Sequence, residues 1–425
     1  MIRIINKEDL KPDDIFCRRV VSEDISATVK GIIDNVIENG DKALLSYSEK
    51  FDKVKLDSVE VTKEEIDKAY NSVDKEFIDI LNEAAENIRV FHRNQLRSNF
   101  MITNADGAVL GQKYIPLNKV GLYVPGGTAP LSSSVLMNCI PAKIAGCNEI
   151  VMVTPPAKDG SVNAEILAAA RVAGVDRVFK VGGAQAIAAL AYSTESIPKV
   201  DKIVGPGNAY VAEAKRQVYG LVSIDMIAGP SEILVIADGS CRAKNVAADL
   251  LSQAEHDKMA SAVLVTDSKE LAVAVSAELE KQIPLLSRSE IARTSIDNNG
   301  KIIIANSIDD AIEIANEIAP EHLEICVDNP FDYLDRIKNA GSVFMGKYCP
   351  EALGDYFAGA NHVLPTSGTA RFSSPLSVDD FIKRTQFMYY TNEALGKVSD
   401  KVAYFANKEQ LGAHARSATV RFEED

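Results

Sequence analysis

Ile318-Ala319-Pro320-Glu321-His322-Leu323-Glu324-Ile325 joins a helix to a strand and leaves an acid beside an imidazole at the join. Upstream, Ser307 can cap a helix with Asp310 three residues on, and apolar residues at 308, 311, 312, 315 and 318 mark one helical face. Pro320 ends that helix, because it biases Ala319 toward an extended backbone. From His322 the pattern alternates, with Leu323, Ile325 and Val327 on one side and His322 and Glu324 on the other. Junctions of this kind are where α/β proteins tend to place chemistry. Acid–histidine neighbours are common, so the pair gains meaning only from what surrounds it.

Outward from this junction, strand and helix alternate. Residues 232–237, 261–266, 301–305 and 341–345 read as strands, with helices at 242–256 and near 268–282. Farther upstream, strands at 149–153, 177–181, 201–204 and 221–226 are separated by alanine-rich helical stretches. This βαβ rhythm predicts parallel sheet with helices on its faces. Val109-Leu110 and Tyr114–Leu117 look like strands, and the segment from Val120 to Gly127 reads as a strand ending in a glycine turn before a helix from Ser132. The first hundred residues read as charged helices over 24–39 and 63–97, and His92 as a partly exposed helix histidine. Residues 350–378 form a glycine-, serine- and proline-rich run, and a short helical tail follows from Asp379.

At 425 residues the chain has room for two or three domains. Its net charge of −14 argues against a nucleic-acid or anionic-membrane partner. The first residues run straight into charge, with no signal-peptide core. The longest apolar run, 186–192, is far short of a membrane span. Six cysteines lie scattered with no Cys-x-x-Cys pair, as expected of reduced thiols in a cytoplasmic protein.

Histidine is more telling. There are five; His256, His322 and His362 lie beside acids or amides, and His414 lies within five residues of Gln410 and Glu409. Gln253 and His256 are three apart and would share a helix face, although a histidine at a helix C-terminus is also favoured by the dipole. Asp355 and His362 sit in a glycine-bearing loop, a usual place to present active residues. Asn407 and Gln410 can cap a terminal helix, with Glu409 in its first turn and His414 five residues on. Two histidines, an aspartate and an amide oxygen make a nitrogen–oxygen zinc set without thiolate, but no standard zinc spacing is present. Three strand ends carry glycines: Gly126-Gly127, Gly182-Gly183 and Gly205-Pro206-Gly207-Asn208. Those glycines suit a dinucleotide and plain close packing equally, since no Gly-x-Gly-x-x-Gly occurs. Ser231, in Gly229-Pro230-Ser231-Glu232, lacks the second glycine of a nucleophile elbow and reads as a polar substrate contact.

Together these motifs resemble histidinol dehydrogenases. The resemblance rests on residues 120–130, 181–190, Gly205–Tyr210, Gly229–Glu232, Ser252–His256, Ala319–Glu324 and Asn361–Thr366, in order along nearly the whole chain. It implies a cytoplasmic, NAD-linked, zinc-dependent oxidation of L-histidinol to L-histidine, with one zinc per subunit. By carry-over, Gln253, His256, Asp355 and His414 would hold zinc and the substrate. Ser231, His322, His362 and Glu409 would also contact the substrate, and Tyr123, Gln185 and Asn208 would contact NAD. Glu321 would activate water and His322 would act as the base. The implied fold is two incomplete Rossmann-like α/β domains, one inserted in the other, with small helical terminal segments. Residues 1–24 would form an N-terminal segment, 25–122 with 231–375 the zinc-bearing domain, 123–230 the inserted NAD domain, and 376–425 a dimerisation unit completing the partner's site. Adjacent strand residues face opposite ways, so the turn after Pro320 must bring Glu321 and His322 together. A zinc dehydrogenase for another amino alcohol or a sulfonate-bearing alcohol, a zinc hydrolase using Glu321, and a non-catalytic nucleotide binder are the competing readings.

Overall fold

The computed structural model describes residues 1–12, 25–126 and 130–424. Asp24, where a helix is expected to begin, Cys17, and Gly127 of the first glycine turn lie outside the described residues. The chain forms two compact units, one of residues 1–95 with 117–381 and the other of 96–116 with 382–425.

In chain order the strands are β1 (Arg3–Asn6), β2 (Phe100–Thr103), β3 (Val109–Pro116), β4 (Lys119–Tyr123), β5 (Glu149–Thr154), β6 (Arg177–Lys180), β7 (Lys202–Val204) and β8 (Ser223–Ile224). They continue with β9 (Glu232–Ala237), β10 (Ser261–Thr266), β11 (Lys301–Ile304), β12 (His322–Cys326), β13 (Ser342–Met345) and β14 (Ile382–Tyr389). The first unit holds two parallel sheets, ordered β6-β5-β4-β7-β8 and β1-β11-β10-β9-β12-β13. The five-stranded sheet therefore has the order 3-2-1-4-5, a Rossmann sheet short of its sixth strand. The six-stranded sheet repeats that order and adds β1 at its outer edge. The α/β fold with two incomplete Rossmann-like sheets is thus present, the strands of one lying in sequence between β1 and β9 of the other.

β9 shows why the six-stranded sheet forms. All six of its residues are buried. Ile233, Val235 and Ala237 pack with Val246, Leu250 and Leu251 of the helix Ala243–Ala254, while Leu234 and Ile236 pack on the other face with Ala311, Ile312 and Ala315. A strand covered on both faces reads as a continuous apolar run rather than an alternating one. The five-stranded sheet is covered similarly, with Val29, Ile32, Ile33 and Val36 of the helix Ser26–Asn39 joining Val151, Phe179 and Ile187 in one core.

Several elements differ from expectation. Arg3–Asn6 is a strand beside β11 rather than helix, and the helices Ser289–Asn298 and Glu351–Tyr356 occupy stretches without an anticipated element. His92 is fully buried, not partly exposed; its Nδ1 donates to the Ile88 carbonyl and its Nε2 accepts from Asn361. In the second unit the tail begins with β14, which pairs antiparallel with β3, and β2 lies on the other side of β3. Short helices Asn392–Gly396, Ser399–Lys408 and Gly412–Thr419 follow.

Candidate active site

The junction quoted above lies at the amino end of β12, beside the amino end of β9. Its helix, Ile308–Ile318, is capped as expected, with the Ser307 hydroxyl accepting from the Asp310 amide at 3.2 Å. Its other end departs from expectation. Ala319 is left-handed (φ 52°, ψ 61°), not extended, and its N–H closes onto the Ala315 carbonyl at 2.8 Å. Pro320 bars the right-handed helical region for Ala319, but a left-handed residue satisfies the helix end equally well. That conformation costs a non-glycine residue about 1–2 kcal/mol, and the burial of Ala319 holds it in place.

The backbone of Glu232 then clamps both side chains of the pair. Its N–H donates to Glu321 Oε2 at 2.9 Å, and its carbonyl accepts from His322 Nδ1 at 2.9 Å. Glu321 precedes the strand and so escapes its alternation, which leaves its Oε2 3.6 Å from His322 Nδ1. The bond to the carbonyl places the histidine proton on Nδ1, leaving Nε2 as a lone pair. That Nε2 is buried without a hydrogen-bond partner among the described residues. Burial holds the His322 imidazole below its usual range and the Glu321 carboxyl well above its own, the latter reinforced by the Glu232, Asp355 and Glu351 charges.

A residue with no role in the motif reading faces this imidazole. Glu351, 2% exposed, opens the helix Glu351–Tyr356 and holds Oε1, also partnerless, 3.6 Å from His322 Nε2. Its Oε2 accepts from the Ser252 hydroxyl at 2.9 Å, and its N–H donates to buried Glu324 at 2.7 Å. Only the acid's position one turn before Asp355 could have signalled it. His322, Glu351 and Asp355 each offer a ligand atom, all within 4.8 Å of one another. Burial and the neighbouring Glu351 push the Asp355 carboxyl up to about 8. His362 donates from Nδ1 to the Asp355 carbonyl at 3.1 Å and meets Ser134 Oγ through Nε2 at 3.4 Å. Burial drives its imidazole down to about 4.

Gln253 and His256 do not share a helix face, because the helix ends at Ala254 and His256 lies beyond its cap. Gln253 is 1% exposed with neither side-chain atom partnered, whereas His256 is exposed. Ser231 is half-buried, and its carbonyl accepts from Ser261 N–H. Cys326 is no ready nucleophile, since burial beside Glu324 and Asp249 pushes its thiol far above the usual range. In the other unit, the expected cap by Asn407 and Gln410 is missing. Glu409 ends the helix Ser399–Lys408, Gln410 turns left-handed, and Leu411 precedes the helix that carries His414. Glu409 and His414 are both exposed.

The remaining candidates gather at the carboxyl ends of the five-stranded sheet. Tyr123 ends β4 and Asn208 follows β7, flanking the point where strand order reverses and α/β sheets open a ligand crevice. The Tyr123 hydroxyl accepts from Gly183 N–H at 3.1 Å, beside buried Gln185. Asn208 caps the helix Ala209–Val218 through the Tyr210 and Val211 amides. Gly205 has φ 113°, and a Cβ there would lie 2.1 Å from the Tyr123 carbonyl oxygen. Packing between these loops therefore already requires that glycine.

Known proteins match this arrangement over nearly the full chain. The sequence model described as histidinol dehydrogenase matches residues 17–422. A histidinol dehydrogenase of Clostridium acetobutylicum is 61% identical over 399 residues, covering 94% of this chain and 93% of the relative. One from Bacillus cereus is 56% identical over 406 residues, covering 96% and 94%. The crystal structure of histidinol dehydrogenase from Elizabethkingia anophelis aligns with a TM-score of 0.94 at 39% identity, covering 99% of this chain and 98% of that one. With the acid–imidazole pair, the buried amide and the paired sheets all in place, this chain belongs to the histidinol dehydrogenase family of oxidoreductases.

Proposed function

We propose that this chain oxidises L-histidinol to L-histidine in two NAD-dependent steps through an enzyme-held aldehyde, the last step of histidine biosynthesis, using one zinc per subunit. The observation that carries the reading is the Glu232 clamp, which holds a buried carboxyl beside a buried imidazole and leaves the imidazole Nε2 lone pair free to act as a base. The donors present fit a metal. Gln253 is a buried amide with two unpartnered atoms, and Asp355 lies in a crowd of carboxyl groups that a cation would relieve. Gln253, His256, Asp355 and His414 would hold it. When bound, zinc supplies a Lewis-acidic anchor for the substrate nitrogens, and NAD supplies the hydride acceptor.

The chain's own residues perform the proton chemistry. His322 Nε2 takes the hydroxyl proton as the carbinol hydrogen departs as hydride, giving the aldehyde. Glu321, whose burial makes it a stronger base than a surface glutamate, takes a proton from water as the oxygen adds to the aldehyde carbon. Protonated His322 returns its proton to the former carbonyl oxygen, completing the hydrate, and then takes a hydroxyl proton back as the second hydride leaves, giving the carboxylic acid, which releases its proton as the carboxylate. Ser231, His362 and Glu409 contact the substrate; Tyr123, Gln185 and Asn208 contact NAD. The zinc-bearing domain comprises 231–375 with part of 25–122, and the NAD domain 123–230 together with β4 and the helix Ser26–Asn39, which pair and pack with the five-stranded sheet rather than, as expected, with the zinc-bearing one. Residues 376–425 complete the site of the partner in a cytoplasmic homodimer. Among the described residues no helix is long and apolar enough to cross a membrane.

Counting NADH formed per limiting L-histidinol, with zinc present, tests the reaction. Two NADH with histidine as product are expected. One would remove the water-activating role from Glu321, and none would turn attention to other amino alcohols.

A further inference from the structure

A buried ion pair elsewhere takes no part in the proton chemistry just described. Lys215 and Asp225 each expose 2% of their side chains and bond directly to one another. Lys215 lies two turns into the helix that Asn208 caps, and Asp225 directly follows β8. Between them they engage both backbone polar groups of one residue. Lys215 Nζ donates to the Gly205 carbonyl at 3.0 Å, and Asp225 Oδ2 accepts from Gly205 N–H at 2.7 Å. Asp225 Oδ1 also accepts from Met226 N–H at 2.6 Å.

A buried ion pair is a poor device for stability alone, because desolvation offsets its attraction and apolar replacements often do as well. An apolar pair cannot reproduce two directed hydrogen bonds to the N–H and the carbonyl of one residue. Gly205 opens the Gly205-Pro206-Gly207-Asn208 loop at the sheet's reversal point and packs against the Tyr123 carbonyl. We infer that Lys215 and Asp225 are positioning residues for dinucleotide binding, fixing the Gly205 peptide so that Asn208 is presented across the crevice from Tyr123. This rests on the reading that the carboxyl ends of β4 and β7 receive NAD.

The test compares the zinc-loaded enzyme with Lys215→Met, the doubly neutral Lys215→Met/Asp225→Asn, and Asn208→Ala. The double variant leaves no unpaired buried charge, so its folding does not depend on tolerating one. A rise of about tenfold in the KM for NAD is expected in the double variant, with zinc content unchanged and the KM for L-histidinol within about twofold. An unchanged KM for NAD in the folded double variant, or parallel losses for both substrates, would overturn the inference. If Asn208→Ala leaves NAD binding untouched, the reading of the crevice itself fails instead. In the unmodified enzyme, slow hydrogen exchange at the Gly205 amide without NAD is expected. An amide protected only once NAD binds would show that the ligand, not the ion pair, orders the loop.

Discussion

The inner five strands of the six-stranded sheet run β11-β10-β9-β12-β13, and the five-stranded sheet runs β6-β5-β4-β7-β8. Order reverses at the same place in both, between the first and fourth strands in sequence. Yet the candidates cluster at opposite ends. Tyr123 and Asn208 lie at the carboxyl ends of β4 and β7, whereas Glu321, His322 and the Glu232 clamp lie at the amino ends of β12 and β9. Helix dipoles would let one topology serve two chemistries. In a βαβ unit, helix N-termini gather at the strands' carboxyl ends and helix C-termini at the amino ends. The first attracts anions such as a pyrophosphate; the second favours cations, among them a metal or an imidazole taking up a proton. Gln253, in the last turn of its helix, and Glu321, just past the end of another, stand at such C-termini.

This division can be broken most forcefully at the amino end. His322→Gln is expected to lower kcat by two to four orders of magnitude, about what a general base supplies, while NAD binding measured by titration stays within about twofold. A comparable loss of NAD binding would mean that the two ends are not separable. Glu351→Gln is expected to cost roughly 10- to 100-fold in zinc affinity or activity, the range usual for a group next to a metal ligand, here Asp355. A zinc titration with unchanged affinity, together with unchanged kcat, would reduce Glu351 to a packing residue. At the carboxyl end, Tyr123→Phe removes the acceptor for Gly183 N–H. It should raise the KM for NAD by about two- to tenfold, in line with one hydrogen bond, and leave the KM for L-histidinol unchanged.

The smallest effect concerns a carboxylate whose charge acts on Tyr123. Burial raises the Asp52 carboxyl from 3.8 to about 6, and its Oδ2 has no hydrogen-bond partner among the described residues. The folded state therefore holds a proton that the unfolded state releases over that interval, so the contribution to stability is present below pH 4 and lost as pH rises toward 6. Asp52→Asn should raise the melting temperature by a few degrees at pH 7.5, and the gain should vanish near pH 4. Melting curves at the two pH values decide it; a gain equal at both would point to packing rather than charge.

What the sequence disclosed follows how far each signal travels along the chain. β9 and β10 match their expected limits because a strand covered on both faces is a self-contained apolar run. The Ser307 cap was equally legible, its two partners being three residues apart. β1 was not, since four residues become a strand only beside β11, nearly three hundred positions away. β14 likewise depends on distant β3, and its mostly exposed residues supply no apolar pattern. In the site, motifs singled out Glu321 and His322, whereas Glu351 behind Pro350 offered only its spacing one turn before Asp355. Local pattern also misassigned Ala319, where helix closure prevailed over the extended preference ahead of proline.

The Glu232 clamp has a consequence for how this enzyme would look to a mutational survey. Both arms are main-chain atoms, so they are supplied by almost any amino acid encoded at position 232. Alanine scanning would score the loss of the Glu232 side chain, which receives the Ser367 amide, and would pass over the atoms that orient the acid–imidazole pair. Proline, which lacks the N–H, would withdraw the arm that holds Glu321 while keeping the carbonyl that holds His322. The orientation of the acid–imidazole pair is thus stored in the path of the backbone, where codon changes seldom reach it.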